Sequence, residues 1–224
     1  DTFAMTGSEP SARDEGIRLA DEVRSLLVDL HALDPSAAAL GEAVDRVAAV
    51  RDSLGDAARL RWHEVPVDEI DDDAEARLRV EYRDHSLFRG VRSPLAPPMA
   101  ISTSEDDAGT PIVVGEARID RGHEGPPGRI HGGYVAGLFD DVLSGTLGLV
   151  GGGPAFTARL QIRYRKPTPI DVDLRFEAWV ERHSGRRLIA KARCLAEGEV
   201  TAEAEALFVT VTRDQERHQG TDTT

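Results

Sequence analysis

The stretch Gly128-Arg129-Ile130-His131-Gly132-Gly133, followed nine residues after the histidine by Asp140, places an anion-binding backbone and a carboxylate on one run of chain. Two glycines at a helix entrance let a ligand approach the bare backbone. The unpaired N–H groups of the first turn point outward there, with the positive end of the helix dipole behind them. Such an entrance suits a developing oxyanion. Asp140 lies inside Tyr134 to Val150, apolar on nearly all sides and therefore read as a buried core helix. A carboxylate there is costly without a partner or a purpose. Ala136 and Gly137 one turn before it and Ser144 one turn after leave room beside it for a substrate.

Nine residues turn a helix through about two and a half turns and raise it roughly 13 Å. His131 and Asp140 thus face opposite sides of one helix. Two antiparallel helices related by a twofold axis would put the glycine entrance of each beside the aspartate of the other, so the spacing predicts a homodimer with two composite sites. The same residues also allow a core helix whose glycines serve close packing and whose Asp140 is satisfied by a neighbouring hydroxyl. Asp141, about 100° further round, is expected at the surface or an interface.

At 224 residues the chain can hold one domain with a full core plus an extension. Its hydrophobic content of 40% contains no run of about 18 uncharged apolar residues, so no membrane span is expected. The first twenty residues mix Asp, Glu and Arg, unlike a secretory signal. A single cysteine, Cys194, excludes an internal disulfide and any multi-cysteine metal site, and it fits a reducing, cytoplasmic setting. No histidine pattern accompanies it, so a nucleophilic role is not expected. His123 and His183 read as surface residues. The formal charge of −13 argues against nucleic acid as a partner. Most of that excess lies in residues 1–80, with nineteen Asp/Glu against nine Lys/Arg. The nearly neutral remainder carries the arginine-rich patches Arg163, Arg165, Lys166 and Arg186, Arg187, whose guanidinium forks fit phosphate. Alternating arginines covering the solvent face of a strand are the plainer reading of the same pattern.

The elements that must position these groups are legible from periodicity. Leu19, Val23, Leu26, Leu27 and Leu30, then Leu40, Ala43, Val44, Val47 and Leu54 after Asp34-Pro35-Ser36, predict two amphipathic helices forming a hairpin over about 12–55. Its acidity counts against a DNA-reading helix pair. The acidic run from Asp68 to Glu75 reads as a linker. These features divide the chain into 1–80, a helical hairpin and linker; 81–213, the core domain; and 214–224, a disordered polar tail. Strands are expected over Met99–Thr103 and Ile112–Ile119, before the core helix, which Gly151-Gly152-Gly153-Pro154 stops. Phe156, Ala158, Leu160, Ile162 and Tyr164 alternate with Thr157, Arg159, Gln161, Arg163 and Arg165, as in a half-buried strand. Further strands follow near 171–181, 186–197 and 200–212. One long apolar helix among six strands is an α+β fold, an antiparallel sheet wrapped around a long central helix.

From about residue 98 to 212 these features resemble the hotdog-fold acyl-CoA thioesterases. The segments Gly125 to Gly133, Asp140, Phe156-Thr157-Ala158, Ile162 to Pro167 and Gly185-Arg186 are similar to the branch containing thioesterase superfamily members four and five, with phenylacetate-degradation thioesterases as close relatives. The resemblance implies hydrolysis of an acyl-CoA to a carboxylic acid and coenzyme A by a dimer or dimer of dimers, with no metal and no cofactor beyond the substrate's own coenzyme A. It implies Gly132 as the main oxyanion donor, His131 shaping that site, Gly133 supporting the turn, Asp140 as general base or nucleophile, and Thr157 orienting the water. A common family pattern sets an Asn or Gln a few residues before His-Gly-Gly; Gly125 stands there instead. A non-catalytic acyl-CoA-binding module is the alternative. A hotdog dehydratase would need an Asp-x-Asn-Pro-x-His site, which is absent.

Overall fold

The computed structural model describes residues 11–57, 59, 77 and 80–211. The acidic linker and the polar tail expected from the sequence lie outside them. Helix α1, Ala12–Ala32, starts at a capping box. The Ser11 hydroxyl accepts from the Asp14 N–H, and the Asp14 carboxylate accepts from the Ser11 hydroxyl and N–H, which hold that carboxyl below its usual range. Helix α2, Ala37–Ser53, begins at Ser36, whose hydroxyl accepts from the Ala39 N–H.

The two helices stand where the periodicity places them, but their packing differs. On α1, Arg13 grips the buried Asp84 with two hydrogen bonds of 2.6 and 2.9 Å, and Arg24 donates to the Ser93 carbonyl at 2.8 Å. No residue of α2 is buried, and Leu40, Val44, Val47 and Leu54 are exposed. A 3.6-residue apolar repeat specifies a face and not the partner that covers it.

Strands β1 (Ala100–Glu105), β2 (Pro111–Arg118), β3 (Ala155–Tyr164), β4 (Asp173–Ser184), β5 (Arg187–Ala196) and β6 (Glu199–Thr210) form one antiparallel sheet in the order β1-β2-β4-β5-β6-β3. Helix α3, Gly132–Leu149, lies against this sheet. Apart from the paired Leu188 and Phe208 at one end, inward positions of β5 and β6 carry small residues: Ala190, Ala192, Cys194 and Ala196, then Ala202, Ala204 and Ala206. Outward ones carry Lys191, Arg193, Glu203 and Glu205. Small inward side chains leave the depth that the helix fills with Val135, Leu138, Phe139, Val142 and Leu143. At Gly115 on β2 a Cβ would stand 2.6 Å from the Val142 side chain, so glycine is what lets helix and strand close up. The end of α3 is a Schellman motif. The Gly152 N–H bonds the Leu147 carbonyl at 2.8 Å and the Gly151 N–H bonds Gly148, with Gly151 at φ 63°.

The strict alternation expected along β3 fails at one place. Its register against β6 shifts between Thr157 and Arg159, leaving Ala158 as the extra residue of a bulge. Before the bulge, Thr157 pairs with the buried Phe208. After it, Leu160, Ile162 and Tyr164 pair with Ala206, Ala204 and Ala202. Thr157 and Leu160 therefore share the helix-facing side, which a period of two forbids, while Phe156 is exposed.

Candidate active site

The loop before α3 closes on itself before it delivers the glycines. Gly125 and Arg129 are joined by a 2.9 Å backbone bond, Ile130 donates to the Thr168 carbonyl, and His131 donates to the His123 carbonyl at 3.0 Å. A Cβ on Gly125 would come within 2.9 Å of the His131 Cα. That packing explains the missing upstream amide, since no side chain fits there without moving the histidine.

His131 is the N-cap of α3, and its Nδ1 accepts from the Gly133 N–H at 3.0 Å. An accepting Nδ1 carries no proton, so this geometry assigns the proton of the neutral ring to Nε2. Among the described residues the Gly132 N–H has no acceptor, while the Gly132 carbonyl accepts from the Tyr164 hydroxyl at 2.7 Å. Tyr164 thus clamps the first turn from strand β3. Desolvation pushes its phenol above the usual value, so it acts as a donor at neutral pH. The sequence places Tyr164 only as an apolar strand position; its hydroxyl is the signal that could have marked it.

Asp140 is half-buried two and a half turns along, and the Thr157 hydroxyl donates to its Oδ1 at 2.9 Å. The bulge in β3 is what turns Thr157 toward it. His131 and Asp140 sit on the same continuous helix, on the order of 13 Å apart along its axis.

Asp141, expected at the surface or an interface, is largely covered within the chain. Its side chain is 12% exposed, 3.5 Å from the Arg89 Nε and 3.4 Å from the Ser86 hydroxyl. At 3.5 Å the arginine makes an ion pair but not a good hydrogen bond, and burial pushes the Asp141 carboxyl above its usual range. His123 likewise is buried rather than superficial. Its Nδ1 lies 3.1 Å from Asp120, and its ring stands edge-to-face on Tyr134 at 4.4 Å. His183 is exposed, as expected. The room expected beside Gly137 is filled by Phe88, a residue that no periodicity singles out.

The basic candidates fall into two groups. Arg163 is exposed near the end of β3, followed by Arg165, paired with Glu203, and Lys166, 2.7 Å from Glu199. Arg186 and Arg187 lie at the start of β5, where Arg187 aligns through Val209 with Phe156 at the other end of β3. One chain keeps the groups roughly 25 Å apart along the strand.

Cys194 is fully buried, and desolvation raises its thiol to about 11. Cys194→Ala is expected to leave turnover within about twofold, and an alkylating reagent to label the native thiol only after unfolding. Rapid labelling at neutral pH would contradict this burial. Among the described residues no group of three or more His, Cys, Asp and Glu side chains is placed to hold a metal, and no helix is long and apolar enough to cross a membrane.

Residues 127–203 match the Thioesterase superfamily model. Acyl-coenzyme A thioesterase THEM4 of Xenopus laevis is 33% identical over 89 residues, 38% of this chain and 39% of the relative. THEM4 of Mus musculus is 35% identical over 88 residues, 38% and 37% of the two chains. The chain thus spans about two fifths of the length of these curated relatives. A solved thioesterase superfamily protein superposes with a TM-score of 0.69 at 26% identity, covering 90% of this chain and 93% of its own. Coverage on that scale takes in the amino-terminal helices as well as the sheet. The fold is therefore the hotdog fold of the thioesterases, and the segment carrying the thioesterase superfamily match holds Gly132, Asp140 and Thr157 together.

Proposed function

We propose that the chain is an acyl-CoA thioesterase, hydrolysing an acyl-CoA to a carboxylic acid and free coenzyme A. The observation that carries this reading is the Thr157–Asp140 hydrogen bond, which orients a half-buried carboxylate on the helix whose entrance leaves the Gly132 N–H unpaired. As a general base, Asp140 takes a proton from a water held with Thr157, and that water's oxygen attacks the thioester carbonyl carbon. The Gly132 N–H receives the negative charge on the carbonyl oxygen, aided by the helix dipole. The carbon–sulfur bond then breaks, and the thiolate of coenzyme A leaves and takes up a proton.

The axial distance from Gly132 to Asp140 supports a homodimer in which each site joins the entrance of one helix to the aspartate of its partner. The separation of the two basic groups supports it independently. Antiparallel pairing along β3 would bring Arg163, Arg165 and Lys166 of one protomer toward Arg186 and Arg187 of the other, where together they could grip the phosphates of coenzyme A.

Thiol release from short, medium, long and aromatic acyl-CoAs tests the activity. Mixing tests the composite site. Asp140→Asn and Gly132→Pro chains, each inactive alone, should regain about a quarter of wild-type turnover once refolded together, because half the dimers are mixed and each mixed dimer holds one intact site. Binding of acyl-CoA without thiol release would mark a non-catalytic module. No regain on mixing would place each site within one chain.

A further inference from the structure

We infer that residues 84–93 form a fixed wall of the acyl site and that Phe88 sets which acyl groups are accepted. This inference rests on the thioesterase reading.

At 100° per residue, Gly133, Ala136, Asp140 and Ser144 fall within about 40° of one line on α3, and Gly137, Asp141 and Tyr134 form the adjacent stripe. The adjacent stripe is covered. A Cβ on Gly137 would lie 1.9 Å from the Phe88 Cζ, so the ring is seated directly on the helix backbone. Its edge meets Tyr134 at 6.2 Å between centroids, and Ser86 and Arg89 reach Asp141 from the same loop. None of the four residues in the first stripe is buried, and apart from Asp140 all have small side chains. On its other side stands β3, anchored to the helix through Thr157 and Tyr164. The result is a channel with a floor of small residues and Asp140, one wall of strand and one wall of phenylalanine.

That second wall is not a loose flap. A Cβ on Gly90 would lie 2.4 Å from the Ser86 carbonyl oxygen and 2.6 Å from that of Asp84, so the turn is closed as tightly as glycine permits. The Arg92 N–H donates to the Asp84 carbonyl at 2.8 Å, and the Asp84 carboxylate is held by Arg13. Arg24 holds the far end through the Ser93 carbonyl. Helix α1 thus pins both ends of the wall, and the backbone that carries Phe88 cannot swing away from a bulky acyl group without breaking those bonds. The channel takes an apolar acyl chain up to the width Phe88 leaves.

The test is kcat/KM for butanoyl-CoA and hexadecanoyl-CoA, measured on one preparation each of wild type, Phe88→Ala and Phe88→Leu, so that the ratio cancels the folded fraction. Opening the wall should raise the long-to-short ratio about tenfold or more in Phe88→Ala and by less in Phe88→Leu. Arg13→Ala, which frees the wall while keeping its ring, should move the ratio the same way. If Phe88→Ala does not fold, Phe88→Leu and Arg13→Ala carry the comparison. A wild-type chain inert to both substrates and to the wider acyl panel overturns the thioesterase reading and this inference with it. Active variants whose ratio stays within twofold of wild type overturn this inference alone.

Discussion

Replacing Asp140 by asparagine is expected to lower kcat for thioester hydrolysis by about 10²–10⁴-fold, the range associated with losing a positioned base. The amide is nearly isosteric, and its oxygen still accepts from Thr157, so the β3–α3 connection of the wild type survives. What disappears is the capacity to take a proton or attack carbon. Asp141→Asn is the control. Its partners are Arg89 and Ser86 on the other flank of the helix, and its loss should weaken the packing of that loop while leaving kcat within about tenfold. Steady-state kinetics of the two variants beside their thermal melts separates the roles. An Asp141 variant that is dead but folded, next to an active Asp140 variant, would reverse the assignment of the two carboxylates.

Phe139→Ala should cost about 3–5 kcal/mol of stability, seen as a fall in the urea midpoint with an unchanged slope. The ring has no solvent exposure and meets Phe176 edge-to-face at 5.2 Å. Collapse into the space is limited, because most of the inward residues of β5 and β6 are alanines with no length to reach across. Function should suffer with stability, since Phe139 adjoins Asp140 and fixes the helix on the sheet. Val44→Ser on α2, where the side chain is 66% exposed, should change stability by no more than about 0.5 kcal/mol. A cost near 1 kcal/mol for Phe139→Ala would mean that α3 is seated more loosely than this packing shows.

Much of this arrangement was legible in the chain because its signals are local. Each expected strand lies within a few residues of an observed one, and Gly151-Gly152 ended α3 as glycines after a helix do. The glycine entrance and Asp140 could be read for the same reason, since spacing along one helix fixes direction and distance. Other features depend on what stands opposite. Nothing in the alternation of β3 announces that Ala158 is the extra residue, so the orientation of Thr157 could come only from a resemblance. Rotation along the helix put Asp141 at the surface or an interface, and His123 read as a surface residue, yet each is covered by other parts of the chain: residues 86–89 for Asp141, and Leu95 with Tyr134 for His123. The apolar repeat of α2 was real, but periodicity cannot tell a covered face from a bare one.

The bulge in β3 has a further consequence for how the molecule meets its own kind. As the last strand of the sheet, β3 presents unpaired N–H and C=O groups, the template on which proteins stack into fibres. An extra residue at Ala158 breaks the repeat of that template, so a second strand can add in regular register only along 159–164. The open edge is thereby cut to a short ladder with one good alignment. That limits edge-to-edge stacking at the very strand whose bulge turns Thr157 toward Asp140.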